Sequence, residues 1–352
     1  MVPCLGLCEC KRGLFSRESC RLCSGNARSV PVNVALSPCI AYYISIVSKW
    51  RVCRREGANL THRNREAGSL ARFFSSAVIK ELATKGRSPL AASLLRETGF
   101  LHEFAPSTSL RDFFDKVYSI LFHNYRNEYI YKNAIAQKLL MGVHSLNTTF
   151  MLTEFRTGIC KADVVLLNGT SAVYEIKSAY DGMERLTRQI AAYRQLFDKI
   201  NVITADSQLE KVKEVVGTDI GLMILTDRNT IRTVQKPLSL KGTVRPPVIF
   251  DSLRKNEYEQ IIKRRFGAVP NVPNTRIYQV CRDLFCTLSP IVAHDEIVTV
   301  LKTRGNSRRL REFVSLMPNS LKSASLSCKL AAGQQAQLLK LLDAKIGTCF
   351  AA

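Results

Sequence analysis

The sequence predicts an α/β chain centred on a small mixed sheet, built in the order α-β-β-β-α-β and flanked by helical regions. Three observations predict it. Two β-rich runs, 161–167 and 171–177, stand on either side of Asn168-Gly169-Thr170, and Asn-Gly between such runs is a strong hairpin signal. An apolar stripe at helical spacing follows them, formed by Leu186, Ile190, Tyr193 and Phe197. A third run, 200–204, comes next, and strand, helix and strand in that order make the flanking strands parallel through a right-handed crossover.

Upstream of the sheet, 68–85 and 88–98 read as a helix pair, with Pro89 at a first helical position and Gly86 and Gly99 just past the ends. Such a pair fits either a helix-turn-helix for DNA or a plain bundle. A longer helix covers roughly 109–142, interrupted in the middle. Ser109 and Asp112 are spaced as a variant of the capping box, and Gly142 is its stop. Strands follow near 149–156, 161–167 and 171–178, then a helix over 181–198 and a strand over 200–204. A helix near 207–216, ended by Gly217, precedes strands near 220–226 and 230–235, which Asp227-Arg228-Asn229 divides.

The Pro-containing stretch 236–247 reads as a linker. Helices are expected beyond it at 250–266, 276–288, from Ser289-Pro290 onward, and near 317–330 and 333–345. At 352 residues the chain exceeds one small domain. The reading divides it into an arm (1–60), a helical N-terminal region (61–104), the α/β core (105–237), the linker (238–248) and a helical C-terminal region (249–352).

Chemistry concentrates in the hairpin. Glu175 and Lys177 share one face of their strand, because side chains alternate, while Ile176 takes the other. Asp163 lies across from that stretch, and a single bulge or slip decides whether it joins their face. Converging carboxylates repel unless a cation lies between them, and hard divalent ions such as Mg²⁺ favour carboxylate, water and phosphate oxygens. A neighbouring Lys can then polarise a water or a phosphate. Two further acids are candidates to complete the site: Glu154, favoured, on the preceding strand, and Glu128 on the preceding helix.

Asp163 followed by Glu175-Ile176-Lys177 resembles the PD-(D/E)XK nuclease superfamily, with Ala162 standing where the family often has Pro. Gln189 and Tyr193 look like the Gln-x-x-x-Tyr element of its RecB-like branch, and the whole string resembles an uncharacterised bacterial family with this core, met near mobile elements. The resemblance implies a restriction-endonuclease-like fold. It also implies metal-dependent hydrolysis of phosphodiester bonds, DNA being favoured, with Asp163 and Glu175 holding Mg²⁺ or Mn²⁺. Lys177 orients or activates the water, Glu154 completes the catalytic set, and Gln189 and Tyr193 support it. Core packing explains Tyr193 equally well. The alternatives are a catalytically silent nuclease fold that binds nucleic acid or a partner protein, and a toxin or defence nuclease restrained by a regulatory partner.

The formal net charge of +22 favours polyanionic partners. Residues 241–311 carry 14 Lys and Arg against 6 Asp and Glu. The densest runs, Lys263-Arg264-Arg265 and Arg308-Arg309-Leu310-Arg311, suit phosphate contacts without base specificity. The first 60 residues hold seven of the twelve cysteines. Cys8, Cys10, Cys20 and Cys23 offer four thiolates for zinc, although the first pair is tightly spaced. A disordered basic arm, or sequence upstream of the true translation start, explains the segment equally. No secretory signal or membrane span is readable, so a reducing cytoplasm is expected, with Cys160, Cys281, Cys286, Cys328 and Cys349 as thiols. The five histidines form no metal-ligand spacing or triad, which leaves hydrolysis by a Ser or Cys nucleophile without support.

Overall fold

The structure is a computed structural model that describes residues 68–350 except 101–103, 106 and 305–307. The arm over 1–60, with its candidate zinc thiolates, lies outside the described residues. Residues 59–352 form one compact unit.

Helix α1 (Ser76–Lys85) begins later than the expected 68, because Ser75 caps it after a 3₁₀ turn at Arg72–Phe74, whereas α2 (Pro89–Thr98) forms where Pro89 and Gly99 predict it. Ser75 Oγ accepts from Val78 N, Ser88 Oγ accepts from Ala91 N at 3.1 Å, and Pro89 opens α2. Helix α3 (Leu110–Asn124) is capped by Ser109 Oγ, which accepts from Asp112 N at 3.1 Å and donates to Asp112 Oδ2 at 2.7 Å. The expected interruption falls at Tyr125-Arg126-Asn127, after which α4 (Glu128–Ala134) runs into π-helical turns at Ile135–Leu140. Gly142 ends this stretch by close approach, since a Cβ there would lie 2.6 Å from Lys138 O.

Six strands follow in one sheet whose spatial order is their sequence order: β1 (Phe150–Thr157), β2 (Cys160–Leu167), β3 (Ser171–Lys177), β4 (Lys199–Thr204), β5 (Gly221–Leu225) and β6 (Ile231–Gln235). The β2–β3 hairpin closes at Leu167↔Ser171 around Gly169, whose φ of 66° suits glycine. β3 and β4 are parallel, joined through α5 (Leu186–Arg194), and β4 and β5 are parallel through α6 (Leu209–Val215). The protein is therefore mixed α/β, with the predicted α-β-β-β-α-β order. Helix α5 is shorter than the expected 181–198, because Asp181 Oδ2 accepts from Ser178 N at 2.8 Å and Ser178 Oγ at 2.6 Å. That local turn competes with helix.

Eight helices complete the described chain: α7 (Pro246–Asp251), α8 (Lys255–Phe266), α9 (Asn274–Cys286), α10 (Pro290–Lys302), α11 (Arg308–Leu316), α12 (Lys322–Ser327), α13 (Ala332–Leu341) and α14 (Ile346–Cys349). They divide between the two faces of the sheet. Helices α7 to α10 share a core with α5, including Phe197, Phe250 and Phe285. Helices α11 to α14 share the other core with α1 to α4, including Phe73, Phe113 and Leu338. Each fully buried Leu or Phe contributes about 2 to 3 kcal/mol. The C-terminal region is thus integral to both layers.

The segment expected to be a linker is fastened to the sheet layer. Leu238 N donates to Asp219 O, Leu240 N to Asp198 O and Arg245 N to Gln195 O, at 2.8–2.9 Å. Buried Asp198 also accepts from Ser239 Oγ and Thr170 Oγ1, both at 2.5 Å. A buried carboxylate needs such donors, and this stretch of chain supplies them. No helix among the described residues is long and apolar enough to cross a membrane. Cys160, Cys281, Cys328 and Cys349 are buried free thiols and Cys286 is a half-buried one.

Candidate active site

Past the pair Val164↔Tyr174 the β2–β3 ladder stops, and the Asp163 side chain replaces it: Oδ2 accepts from Ile176 N at 2.8 Å. Asp163 is thereby fixed beside Glu175. On the other side, the β1–β2 ladder skips Glu154, which faces Asp163 between the pairs Thr153↔Val164 and Phe155↔Ala162. Glu154 has φ 57°, a left-handed conformation that costs a non-glycine residue about 1 to 3 kcal/mol. The strained backbone turns its carboxylate toward α4.

Both candidates for the fourth acid converge. One carboxylate oxygen each from Glu128, Glu154 and Asp163 lie within 4.8 Å of one another. Glu154, favoured by the sequence, and Glu128 both line the cleft, because the first residue of α4 lies beside Glu154. Lys132, one turn beyond Glu128, forms ion pairs with both Glu128 and Glu154, and Lys161 forms another with Glu154. Burial raises the Glu154 pKa, but the two ammoniums outweigh it and hold the carboxyl below its usual range. Burial likewise opposes a charged Lys132, yet the two glutamates raise its pKa above the ordinary value.

Glu175 and Lys177 point to the α5 side and are 2% and 3% exposed. Gln189 joins them, with Nε2 donating to Glu175 Oε1 at 2.5 Å and Oε1 accepting from Lys177 Nζ at 3.0 Å. Lys177 Nζ itself lies 3.3 Å from Glu175 Oε1. Tyr193 Oη donates to Glu175 Oε2 at 2.6 Å and lies 3.2 Å from Lys161 O. The ring of Tyr193 is fully buried and edge-on to Phe197. Tyr193 therefore fills both roles that the sequence leaves open, with its body in the core and its hydroxyl on the site.

Burial and then the Glu175 charge push Asp163 up to about 8, opposed by the Ile176 N–H. Burial also raises Glu175, but Tyr193, Lys177 and Gln189 all donate to it. The pair therefore retains one proton near neutrality, and the donor count assigns it to Asp163, which has a single backbone donor. Burial and the Glu175 charge keep the Tyr193 hydroxyl protonated, as a donor must be.

These groups line one cleft of about 340 Å³. Its mouth carries Arg185 and Arg188, both exposed and without an acidic partner among the described residues. The sequence reading missed Lys132, Lys161, Arg185 and Arg188. Only Lys132 had a readable signal, its i,i+4 spacing from Glu128.

The C-terminal basic runs are placed elsewhere. Arg264 and Arg265 both bind the buried carboxylate of Glu296, Arg265 Nε at 2.6 Å, and Arg308 pairs with Glu312 one helical turn on at 2.7 Å. Lys263 and Arg309 are exposed, and Arg311 is half-buried. Much of this charge is already engaged within the fold. A seryl–histidine contact unseen in the sequence also forms, with Ser171 Oγ and His294 Nε2 at 2.8 Å and His294 Nδ1 3.4 Å from Asp295 Oδ1. Ser171 and His294 are 2% and 0% exposed, and Ser171 Oγ accepts from Asp198 N. The contact ties α10 to β3.

Comparisons with known proteins follow this geometry. Protein cII of Enterobacteria phage P4 is 29% identical over 84 residues, 24% of this chain and 31% of the phage protein. The chain thus spans about a third of the length of the curated relative it matches. A solved protein of unknown function from Silicibacter pomeroyi superposes with a TM-score of 0.27 at 16% identity, over 40% of this chain and 93% of that one, too low to bear on the fold. The family profile described as Bacteriophage P4 protein cII matches residues 122–325, which include every residue of the cleft and more than half of the chain. The chain belongs to the Bacteriophage P4 protein cII family.

Proposed function

We propose that the protein is a metal-dependent nuclease with a restriction-endonuclease-like core that hydrolyses phosphodiester bonds of nucleic acid, DNA being favoured. The observation that carries this reading is Gln189 held between Glu175 and Lys177, in the same cleft as Asp163, Glu128 and Glu154. Structural ion pairs do not require four acids, a buried lysine and a bridging amide around one opening.

The donor set fits a hard divalent cation. Its ligands are all carboxylate oxygens, without thiol or imidazole, and Lys132 already places an ammonium between two of them. Asp163 would hold Mg²⁺ or Mn²⁺ with Glu128 and Glu154 in reach, and Glu175 stands behind Asp163. When bound, the cation lowers the pKa of a water and offsets charge building on the phosphate. Lys177, fixed by Gln189, presents its ammonium to the cleft, where it can meet a phosphate oxygen. Tyr193 holds Glu175 in place from behind, and Arg185 and Arg188 attract the strand at the mouth.

The family name records a phage protein and no activity, and a mobile-element setting is consistent with it. A second reading, the silent nucleic-acid-binding fold, is favoured by one observation: Lys132 and Lys161 already neutralise Glu128 and Glu154. Incubating the protein with supercoiled plasmid, linear duplex and single strands separates the two, with Mg²⁺, Mn²⁺ or chelator and beside Lys177→Ala. Metal-dependent cleavage lost in the variant is the expected result. Salt-sensitive binding by both proteins, with no cleavage by either, moves the conclusion to the silent fold.

A further inference from the structure

The β3–α5 loop is a wall shared by two openings. Lys177 and Asp181 line the acidic cleft, whereas Ala179 and Tyr180 between them line a neighbouring cavity of about 450 Å³. Helix α4 is shared in the same way: Glu128 faces the cleft, and Tyr131, three residues on, lies in the cavity wall. The two openings are therefore adjacent by construction, and three residues of chain from Lys177 to Tyr180 reach at most about 11 Å.

The chemistry of this cavity differs from that of the cleft. Tyr180 is 50% exposed, and its ring lies on Tyr125, with centroids 4.6 Å apart and planes inclined by 31°. An exposed aromatic backed by a second ring is a rigid stacking surface. Arg126 lies against the Phe122 ring at 4.5 Å, pairs with Asp227 at 2.7 Å and lines the same cavity. The Tyr131 hydroxyl is buried in the wall with no hydrogen-bond partner among the described residues. Asp206 and Asp227 also line the cavity, paired with Arg232 and Arg126, so its charges offset one another and it suits an uncharged ring with polar edges.

We infer that this cavity receives one unpaired nucleobase of the substrate strand, stacked on Tyr180, so that single-stranded or frayed nucleic acid is the substrate class. The inference rests on the nuclease reading for its substrate but not for its geometry. A base in an intact duplex is stacked on both faces and cannot enter, whereas an unpaired base can swing out at little cost.

The test uses the full chain with chelator present, so that no cleavage occurs, and a single strand carrying 2-aminopurine, whose fluorescence is quenched by stacking. The same label in a duplex and in the free nucleoside monophosphate serves as comparison. Quenching with the single strand is expected, with little in the duplex or the monophosphate. Tyr180→Ala should abolish it and weaken single-strand binding about tenfold, while Tyr180→Phe, which keeps the ring, retains both. An unchanged melting temperature confirms that the exposed site tolerates the change. Equal quenching and affinity in Tyr180→Ala overturns the inference, as does equal binding of duplex or of the monophosphate alone. The two readings fail separately. Cleavage lost in Lys177→Ala with no effect of Tyr180→Ala keeps the nuclease and removes the base pocket. Tyr180-dependent quenching without any metal-dependent cleavage does the reverse.

Discussion

Tyr193 donates its hydroxyl to Glu175 Oε2 at 2.6 Å from the fully buried interior of α5. The contact couples the core of the protein to the floor of its cleft. Removing only the hydroxyl, in Tyr193→Phe, keeps the ring packed on Phe197 and leaves a buried carboxylate oxygen without that donor. An unsatisfied buried acceptor costs about 1 to 3 kcal/mol. Denaturant unfolding should show a lower midpoint at unchanged m-value. A midpoint equal to wild type would mean that the oxygen finds another donor.

Lys177→Ala should reduce cleavage by about 10² or more, the scale on which positioned acid, base and electrostatic groups act. Nucleic-acid affinity should barely change, since Lys177 is 3% exposed. Gln189→Ala tests the same arrangement indirectly. It should lower kcat more than it raises KM, because the amide holds Lys177 and Glu175 in place without reaching the substrate. Parallel loss of stability and binding in Lys177→Ala would make the lysine structural.

Much of this site was legible because strand and turn signals are local. Asn168-Gly169 fixed the hairpin, and alternation then placed Glu175 and Lys177 on one face, as observed. The convergence of Glu128 with Glu154 was not legible. It depends on the left-handed backbone at Glu154 and on where α4 packs, both consequences of tertiary packing. The helix over 181–198 was read too long, because periodicity is blind to a side chain such as Asp181 that satisfies a turn. The pairing of the charge runs was not legible for a related reason. Sequence counts Arg264 and Arg265 as free cations, whereas buried Glu296, some thirty residues away, takes both.

The salt dependence of binding separates engaged from available cations. Arg185→Ala and Arg188→Ala should each reduce the slope of log K against log salt by about 1, as expected for loss of one phosphate contact. Arg264→Ala should leave the slope unchanged and lower the melting temperature instead, because Glu296 is 4% exposed and loses a partner. Filter binding across a salt series measures both. A reduced slope in Arg264→Ala would return that run to the nucleic-acid interface.

Metal affinity should depend on pH through Asp163. Its folded pKa of about 8 lies above the ordinary value of about 3.9. Without a cation the folded state therefore holds a proton that the unfolded chain has lost, and this contribution to stability is full at low pH and fades as pH rises toward 8. Cation binding favours the ionised form and expels the proton. Mn²⁺ affinity should consequently rise with pH from about 6 to about 8 and then level off. Titration calorimetry in two buffers of different ionisation enthalpy should detect close to one proton released at pH 6.5, and none in Asp163→Asn. Affinity that is flat across this range would show Asp163 to be ionised before the metal arrives.

Lys132 competes for the place of that cation. Its ammonium binds Glu128 and Glu154 together, and only 12% of its side chain is exposed, so it cannot swing away freely. Lys132→Met keeps the length of the stem and removes the charge. The two glutamates then repel each other, which lowers the melting temperature of the metal-free protein, and the same repulsion favours a divalent ion. At a separation of about 4 Å one unit charge is worth about 1 kcal/mol in bulk water and more where water is partly excluded, so Mn²⁺ should bind at least about fivefold more tightly, and added metal should restore the lost stability. Weaker binding in Lys132→Met would instead show that the lysine organises the carboxylates for the metal, and Glu154, with its strained backbone, would then depend on Lys132 to hold its position.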